Sequence, residues 1–152
     1  MDIQLDSNSN EQKPRMAEIY RLIPQRPPFL FIDKINSKTN EMIETEYYVT
    51  GKEHFFQGHF PQNPVMPGVL LCEACFQSGA ALLKDLMDND GLGVVTKIEQ
   101  TRFKTMVKPG DLLNIQVNLI DSLNNAYYLK GKMTVKGKTA LQIKFQVASI
   151  VS

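Results

Sequence analysis

Three successive runs in the C-terminal half of this chain alternate apolar with polar residues, and a half-buried β-strand is the element with that period. Leu113, Ile115, Val117 and Leu119 alternate with Asn114, Gln116 and Asn118. Tyr127, Leu129, Met133 and Val135 stand opposite Lys130, Lys132 and Thr134, and Leu141, Ile143, Phe145 and Val147 alternate with Gln142, Lys144 and Gln146. Strands with one apolar face belong to an antiparallel sheet whose other face meets water. Ser122 to Asn125 and Lys136-Gly137-Lys138 supply the hairpin turns, and an earlier strand, about Val94 to Lys104, leads into the turn Pro109-Gly110-Asp111.

A sheet of this kind needs something to cover its apolar face. The strongly apolar run from about Gly68 to Met87 predicts a helix roughly 30 Å long, its end marked by Asp88-Asn89-Asp90-Gly91. Upstream, Met16, Ile19, Tyr20 and Ile23 give a short amphipathic helix stopped by Pro24. Phe29 to Ile35 reads as a first strand and Glu41 to Thr50 as a second, joined as a hairpin through Ser37-Lys38-Thr39-Asn40. The expected class is α+β, a curved antiparallel sheet of five to six strands with one long helix on its concave face.

The 152 residues fit one domain, placed at 15–152 behind a polar lead-in, residues 1–14, that has no apolar periodicity. With 17 basic and 16 acidic residues the formal charge is +1, so nothing calls for a nucleic-acid or membrane partner. The N-terminus lacks the pattern of a secretory signal, and Val69 to Leu83 is interrupted by Glu73, Gln77 and Ser78, which is too polar for a membrane span. The expected location is cytoplasmic. Cys72 and Cys75, with only His54 and His59 as further soft ligands, make no convincing zinc site and read as core residues.

Two proton-transfer groups sit on one short connector, GHFPQNPVMPGVLLCEACFQSG, from Gly58 to Gly79. His59 lies in a loop stiffened by Pro61, Pro64 and Pro67, and imidazole is the side chain whose ordinary pKa suits proton abstraction near neutrality. Glu73 is the sole charged residue between His59 and Lys84. Burial disfavours its ionised form, so it is a candidate general acid. A solvated loop imidazole and a glutamate bonded within the core or across an oligomer interface are the structural alternatives. Gly68 opens the helix, where unpaired N–H groups can polarise a carbonyl oxygen, or it merely allows close packing behind Pro67.

The connector resembles the signature GHFPxxPxxPGVxxxEAxxQ of the 3-hydroxyacyl-(acyl-carrier-protein) dehydratases of the hot-dog fold. IPQRPPFLFID from Ile23 to Asp33 and TRFKTMVKPGD from Thr101 to Asp111 resemble further family segments, so the likeness covers nearly the whole chain after the lead-in. The resemblance implies a central helix wrapped by the sheet, with His59 as catalytic base and Glu73 as acid or water-orienting partner. It also implies that Gly68 N–H polarises the thioester, the Val65 carbonyl orients the His59 ring, Gln77 supports Glu73, and Phe60 joins the substrate-binding residues.

The implied reaction is dehydration of a 3-hydroxyacyl thioester to the trans-2-enoyl thioester. It uses no metal or redox cofactor, the substrate riding on the phosphopantetheine of acyl carrier protein. The family's site spans two protomers, so a homodimer or trimer of dimers is expected. Lys97, Arg102, Lys104 and Lys108 are candidates for a carrier landing area. The chain departs from the family pattern at Gln25, where His is common, at Gln62, and at Val94 and Val95, where an aromatic often gates the tunnel. These changes bear on substrate choice. A hot-dog thioesterase and a noncatalytic acyl-thioester-binding subunit are the rival readings.

Overall fold

The computed structural model describes residues 16–87 and 91–151. The lead-in and the Asp88-Asn89-Asp90 end marker lie outside them. Residues 16–22 form helix α1, which buries Ile19 and Leu22 and stops before Pro24. Strand β1 (Lys34–Lys38) pairs with β2 (Met42–Tyr48) as an antiparallel hairpin. A 3-10 turn, His54–Gln57, and the proline-rich loop lead to helix α2 (Gly68–Leu83). Four longer strands follow: β3 (Gly91–Phe103), β4 (Leu112–Leu123), β5 (Ala126–Val135) and β6 (Lys138–Val151).

The six strands form one antiparallel sheet in the order β1-β2-β4-β5-β6-β3, so the strand that enters from the helix, β3, ends at an edge. The alternation in β4, β5 and β6 decides the side: Leu113, Ile115, Val117, Leu129, Met133, Leu141, Ile143 and Phe145 are all buried. Each such side chain contributes about 1.5–3 kcal/mol, against roughly 1 kcal/mol net for a hydrogen bond, so apolar burial fixes the helix on the sheet. Small residues let the two approach. A Cβ at Gly131 would lie 2.9 Å from Ile143 and 3.3 Å from the Cys75 sulfur, and one at Gly79 would meet Phe145 at 3.0 Å. The buried hydroxyl of Ser78 is satisfied by Thr45 at 2.8 Å and by the Ala74 carbonyl at 2.9 Å.

Two expected boundaries move. Phe29 to Ile32 is not a strand: Leu30, Phe31 and Ile32 are buried, but pairing with β2 begins only at Asp33, whose N–H donates to Glu46 O at 2.8 Å. The backbone of Phe29 and Phe31 bonds to the Gln77 side chain instead. Helix α2 stops at Leu83, short of Met87, because the N–H groups of Leu86 and Met87 both turn back to the Leu83 carbonyl. Its 16 residues span about 24 Å. Among the described residues no helix is long and apolar enough to cross a membrane.

Candidate active site

His59 is held from both sides of its loop. Its N–H donates to Phe55 O at 3.0 Å, its carbonyl accepts from Val65 N–H at 3.3 Å, and Met66 N–H ties the loop to Val107 O at 2.8 Å. The ring Nδ1 lies 2.7 Å from Val65 O. A carbonyl can only accept, so Nδ1 carries the hydrogen, and in the neutral ring Nε2 is left with its lone pair free. Phe60 stacks on the imidazole, with centroids 4.3 Å apart, and keeps half its surface exposed.

The loop delivers the chain to the start of α2 at Pro67, whose carbonyl accepts from Leu70 and Leu71. Pro67 makes no side-chain cap, so the N–H groups of Gly68 and Val69 find no carbonyl within the described chain. Val69 is 74% exposed although it lies on the central helix. The ring of Phe103 sits against Gly68, and a Cβ there would fall 2.9 Å from Phe103 Cε1.

Glu73 projects from the next turn and is half-buried in the single chain. The carboxylate is less enclosed than a core position on the central helix implies, because the N-terminal face of α2, where Val69 also stands, is open. Desolvation holds its carboxyl above the usual glutamate range, and the hydrogen bond from Gln77 partly offsets this. Gln77 Nε2 donates to Glu73 Oε1 at 3.2 Å and to Phe29 O at 2.9 Å, while its Oε1 accepts from Phe31 N–H at 2.8 Å. Glu73 makes no hydrogen bond to His59 within the chain. Cys72 and Cys75 are buried free thiols pushed up by that burial.

A family model described as a FabA-like domain matches residues 23–144, the loop, the helix and nearly all of the sheet. The chain belongs to this dehydratase family. It is 40% identical over 135 residues to a 3-hydroxyacyl-(acyl-carrier-protein) dehydratase FabZ of Oceanobacillus iheyensis, covering 88% of this chain and 96% of that protein. It is 40% identical to the FabZ of Bacillus subtilis, covering 86% and 94%. Among solved structures, the dehydratase heterocomplex ApeI:P from Xenorhabdus doucetiae superposes with a TM-score of 0.74 at 16% identity, over 87% of this chain and 90% of that one. A hypothetical thioesterase with coenzyme A from Streptococcus pneumoniae gives 0.65 at 12% identity, over 93% and 98%, a likeness of fold.

Phe103 carries no signal in the sequence pattern, because β3 breaks its alternation at bulges between Val95 and Lys97 and between Glu99 and Arg102. The register restores it. Val95, Ile98 and Phe103 stand opposite Val147, Phe145 and Leu141, all buried, so they share the concave face while remaining 38%, 53% and 53% exposed. The aromatic on this edge therefore stands at position 103 and not at 94 or 95. Of the expected landing cations, Lys97 is taken by Glu99 at 2.6 Å, while Arg102, Lys104 and Lys108 are exposed. Gln25, the other departure, has its Oε1 buried without a donor in the described chain. A cavity of about 680 Å³ beside Pro28, Tyr47 and His54 takes none of its lining from the Gly58 to Gly79 connector. Its Glu53 is occupied by Thr50 N–H, Gly51 N–H and the Tyr47 hydroxyl.

Proposed function

We propose that this chain dehydrates 3-hydroxyacyl thioesters carried on acyl carrier protein, in cytoplasmic fatty-acid or related acyl synthesis. The observation that supports the mechanism is the 2.7 Å contact between His59 Nδ1 and Val65 O, which fixes the ring and makes Nε2 the nitrogen that acts as base in the neutral imidazole. Nε2 takes a proton from C2 of the substrate. Charge moves onto the thioester oxygen, where the Gly68 N–H stabilises it as an oxyanion-hole donor does. The C2–C3 double bond then forms as the C3–O bond breaks, and the hydroxyl departs as water with the proton of Glu73. The proton taken by His59 then passes to the Glu73 carboxylate, directly or through solvent, restoring both groups. Burial of Glu73 supports this role, because a raised pKa keeps the carboxyl protonated further towards neutrality. Each step draws on groups of the protein itself, with the substrate held on its phosphopantetheine arm.

The working unit in this reading is at least a homodimer. The free edge of β3 and the exposed apolar strip of Val95, Ile98 and Phe103 suit a second copy. That copy would bring its own His59 towards this chain's Glu73, which the single chain leaves unbonded to the imidazole, and would cover Val69. The apolar strip would then wall the acyl chain.

The test is direct. The protein is incubated with 3-hydroxyacyl thioesters on carrier protein and on coenzyme A, and enoyl product and free thiol are followed. Enoyl formation is expected; thiol release without it would identify a thioesterase, and neither product would leave a binding role.

A further inference from the structure

Within the described chain, α2 is enclosed on every side but one. Its residues from Leu71 to Leu83 are buried except Glu73, Phe76 and Ala80, and with the exposed Val69 and half-buried Lys84 these fall at steps of three and four, a single stripe. Strand β3 runs beside the helix from end to end. Its Phe103 ring lies on Gly68 at the helix start, and its Gly93 lies against Met87 just past the helix end, where a Cβ would fall 3.2 Å from Met87 Cε. Phe76 of the stripe packs edge-on against Phe145, the residue opposite Ile98, so stripe and strand border the same space. Between the two end contacts Val95 and Ile98 face inward yet stay 38% and 53% exposed. Strand and helix therefore stand apart there, and a trough runs from Glu73 towards Met87.

The far end of the trough has a fixed backbone and a movable side chain. The N–H groups of Leu86 and Met87 both bond to Leu83 O, and Leu86 O accepts from the Tyr127 hydroxyl at 3.3 Å, so the chain that carries Met87 is held. The Met87 side chain is 8% exposed and lies on the bare backbone of Gly93. Past it opens a cavity of about 250 Å³ lined by Ile23, Gln25, Ala80, Lys84, Met87 and Gly93. Ala80 belongs both to the stripe and to this cavity, which joins the two. An unbranched thioether with three rotatable bonds fills such a gap closely and is displaced from it at little cost.

We propose that Met87, seated on Gly93, is the end-stop that sets the longest acyl chain this dehydratase accepts. The proposal rests on the dehydratase reading and adds the residue that limits its substrate. With C2 and C3 of the thioester held at His59 and Glu73, an extended alkyl tail laid along the stripe passes Phe76 and Ala80 and meets Met87 after roughly 15–20 Å. Each methylene buried on the way adds to binding. At Met87 that gain stops, because the side chain closes the trough and the lining beyond it includes Gln25 and Lys84. A second copy on the β3 edge would roof the trough; the contact that closes its end lies within one chain.

The experiment runs the full chain, Met87→Ala and Gly93→Ala over straight-chain 3-hydroxyacyl substrates on carrier protein, lengthened by two carbons at a time. The wild type should show a length beyond which kcat/KM drops. Met87→Ala should move that drop to longer chains, raising kcat/KM for the first rejected length, relative to the preferred one, by about tenfold or more. Gly93→Ala should lower the same ratio, because its Cβ pushes the Met87 tip off the strand and into the trough. Affinity for carrier proteins bearing saturated acyl chains, which are not dehydrated, should shift in the same directions by fluorescence anisotropy. An unchanged length profile in both variants, or a uniform fall across all lengths, would overturn the end-stop. Gly93→Ala decides alone where Met87→Ala does not fold. Enoyl product from no length in the wild type would overturn the dehydratase reading separately, and the binding series would still read the stop.

Discussion

The Gln77 side chain stands beside Phe31 as the peptide of a neighbouring strand would, with Oε1 accepting the Phe31 N–H at 2.8 Å. Its Nε2 completes the pair on the Phe29 carbonyl and also reaches Glu73. One buried amide thus fixes the path of the segment before β1 and the position of the candidate acid together.

Replacing Gln77 by Leu keeps the volume but strands two backbone groups. Urea unfolding should show a loss of about 2–4 kcal/mol, since each buried group left unsatisfied costs about 1–3 kcal/mol. The Gln77 hydrogen bond also lowers the Glu73 pKa. Its loss should therefore move the Glu73 titration upward, read as a shift of the high-pH limb of the rate profile.

Glu73→Gln should separate activity from stability. Burial raises the Glu73 pKa above the ordinary 4.5, so the folded protein binds this proton more tightly than the unfolded chain does. The resulting stability is fully present below that ordinary value and is lost as pH rises through the raised one. The variant lacks this titration. Its thermal midpoint should gain on the wild type as pH rises through that window, while dehydration falls by about 10²–10⁴. Full activity in the variant would remove Glu73 from proton transfer.

His59→Ala should abolish dehydration by a similar factor, about 10²–10⁴. The imidazole makes one hydrogen bond and one stacking contact, with Val65 and Phe60, and sits outside the buried core. Unfolding free energy should therefore change by only about 1 kcal/mol. Turnover that survived in a folded variant would place the base elsewhere.

Gly68→Ala tests the ring that lies on the helix start. The new Cβ would meet Phe103 Cε1 at 2.9 Å and Cζ at 3.1 Å, and a half-exposed ring can swing away. Stability should fall by under about 1.5 kcal/mol, while kcat drops more than KM changes, because the ring then displaces the substrate carbonyl from the Gly68 N–H. A double variant with Phe103→Leu should recover part of the loss. Strict additivity of the two would show that the contact has no part in catalysis.

The sequence made β4, β5 and β6 legible because each buries one face against α2, and burial writes itself as alternation. Phe29 to Ile32 misled for the opposite reason. Leu30, Phe31 and Ile32 are apolar because they are buried, yet the hydrogen-bond partner is a side chain 46 positions away from Phe31, which no local pattern encodes. The loop and helix that bring Val65 to His59 and Gln77 to Glu73 are continuous in sequence and could be read as one motif. Phe103 could not, since the bulges of β3 hide which face it takes and its neighbour Gly68 lies 35 positions upstream.

The close approach of α2 to β5 also gives the protein an internal clock. Cys75 has no exposed surface, its sulfur lies 3.3 Å from where a Cβ on Gly131 would stand, and burial pushes its thiol far up. A thiol reagent in native buffer can reach it only when the helix lifts from the sheet. Its alkylation half-life therefore counts helix openings, with Cys72, 7% exposed at the rim, as the earlier signal.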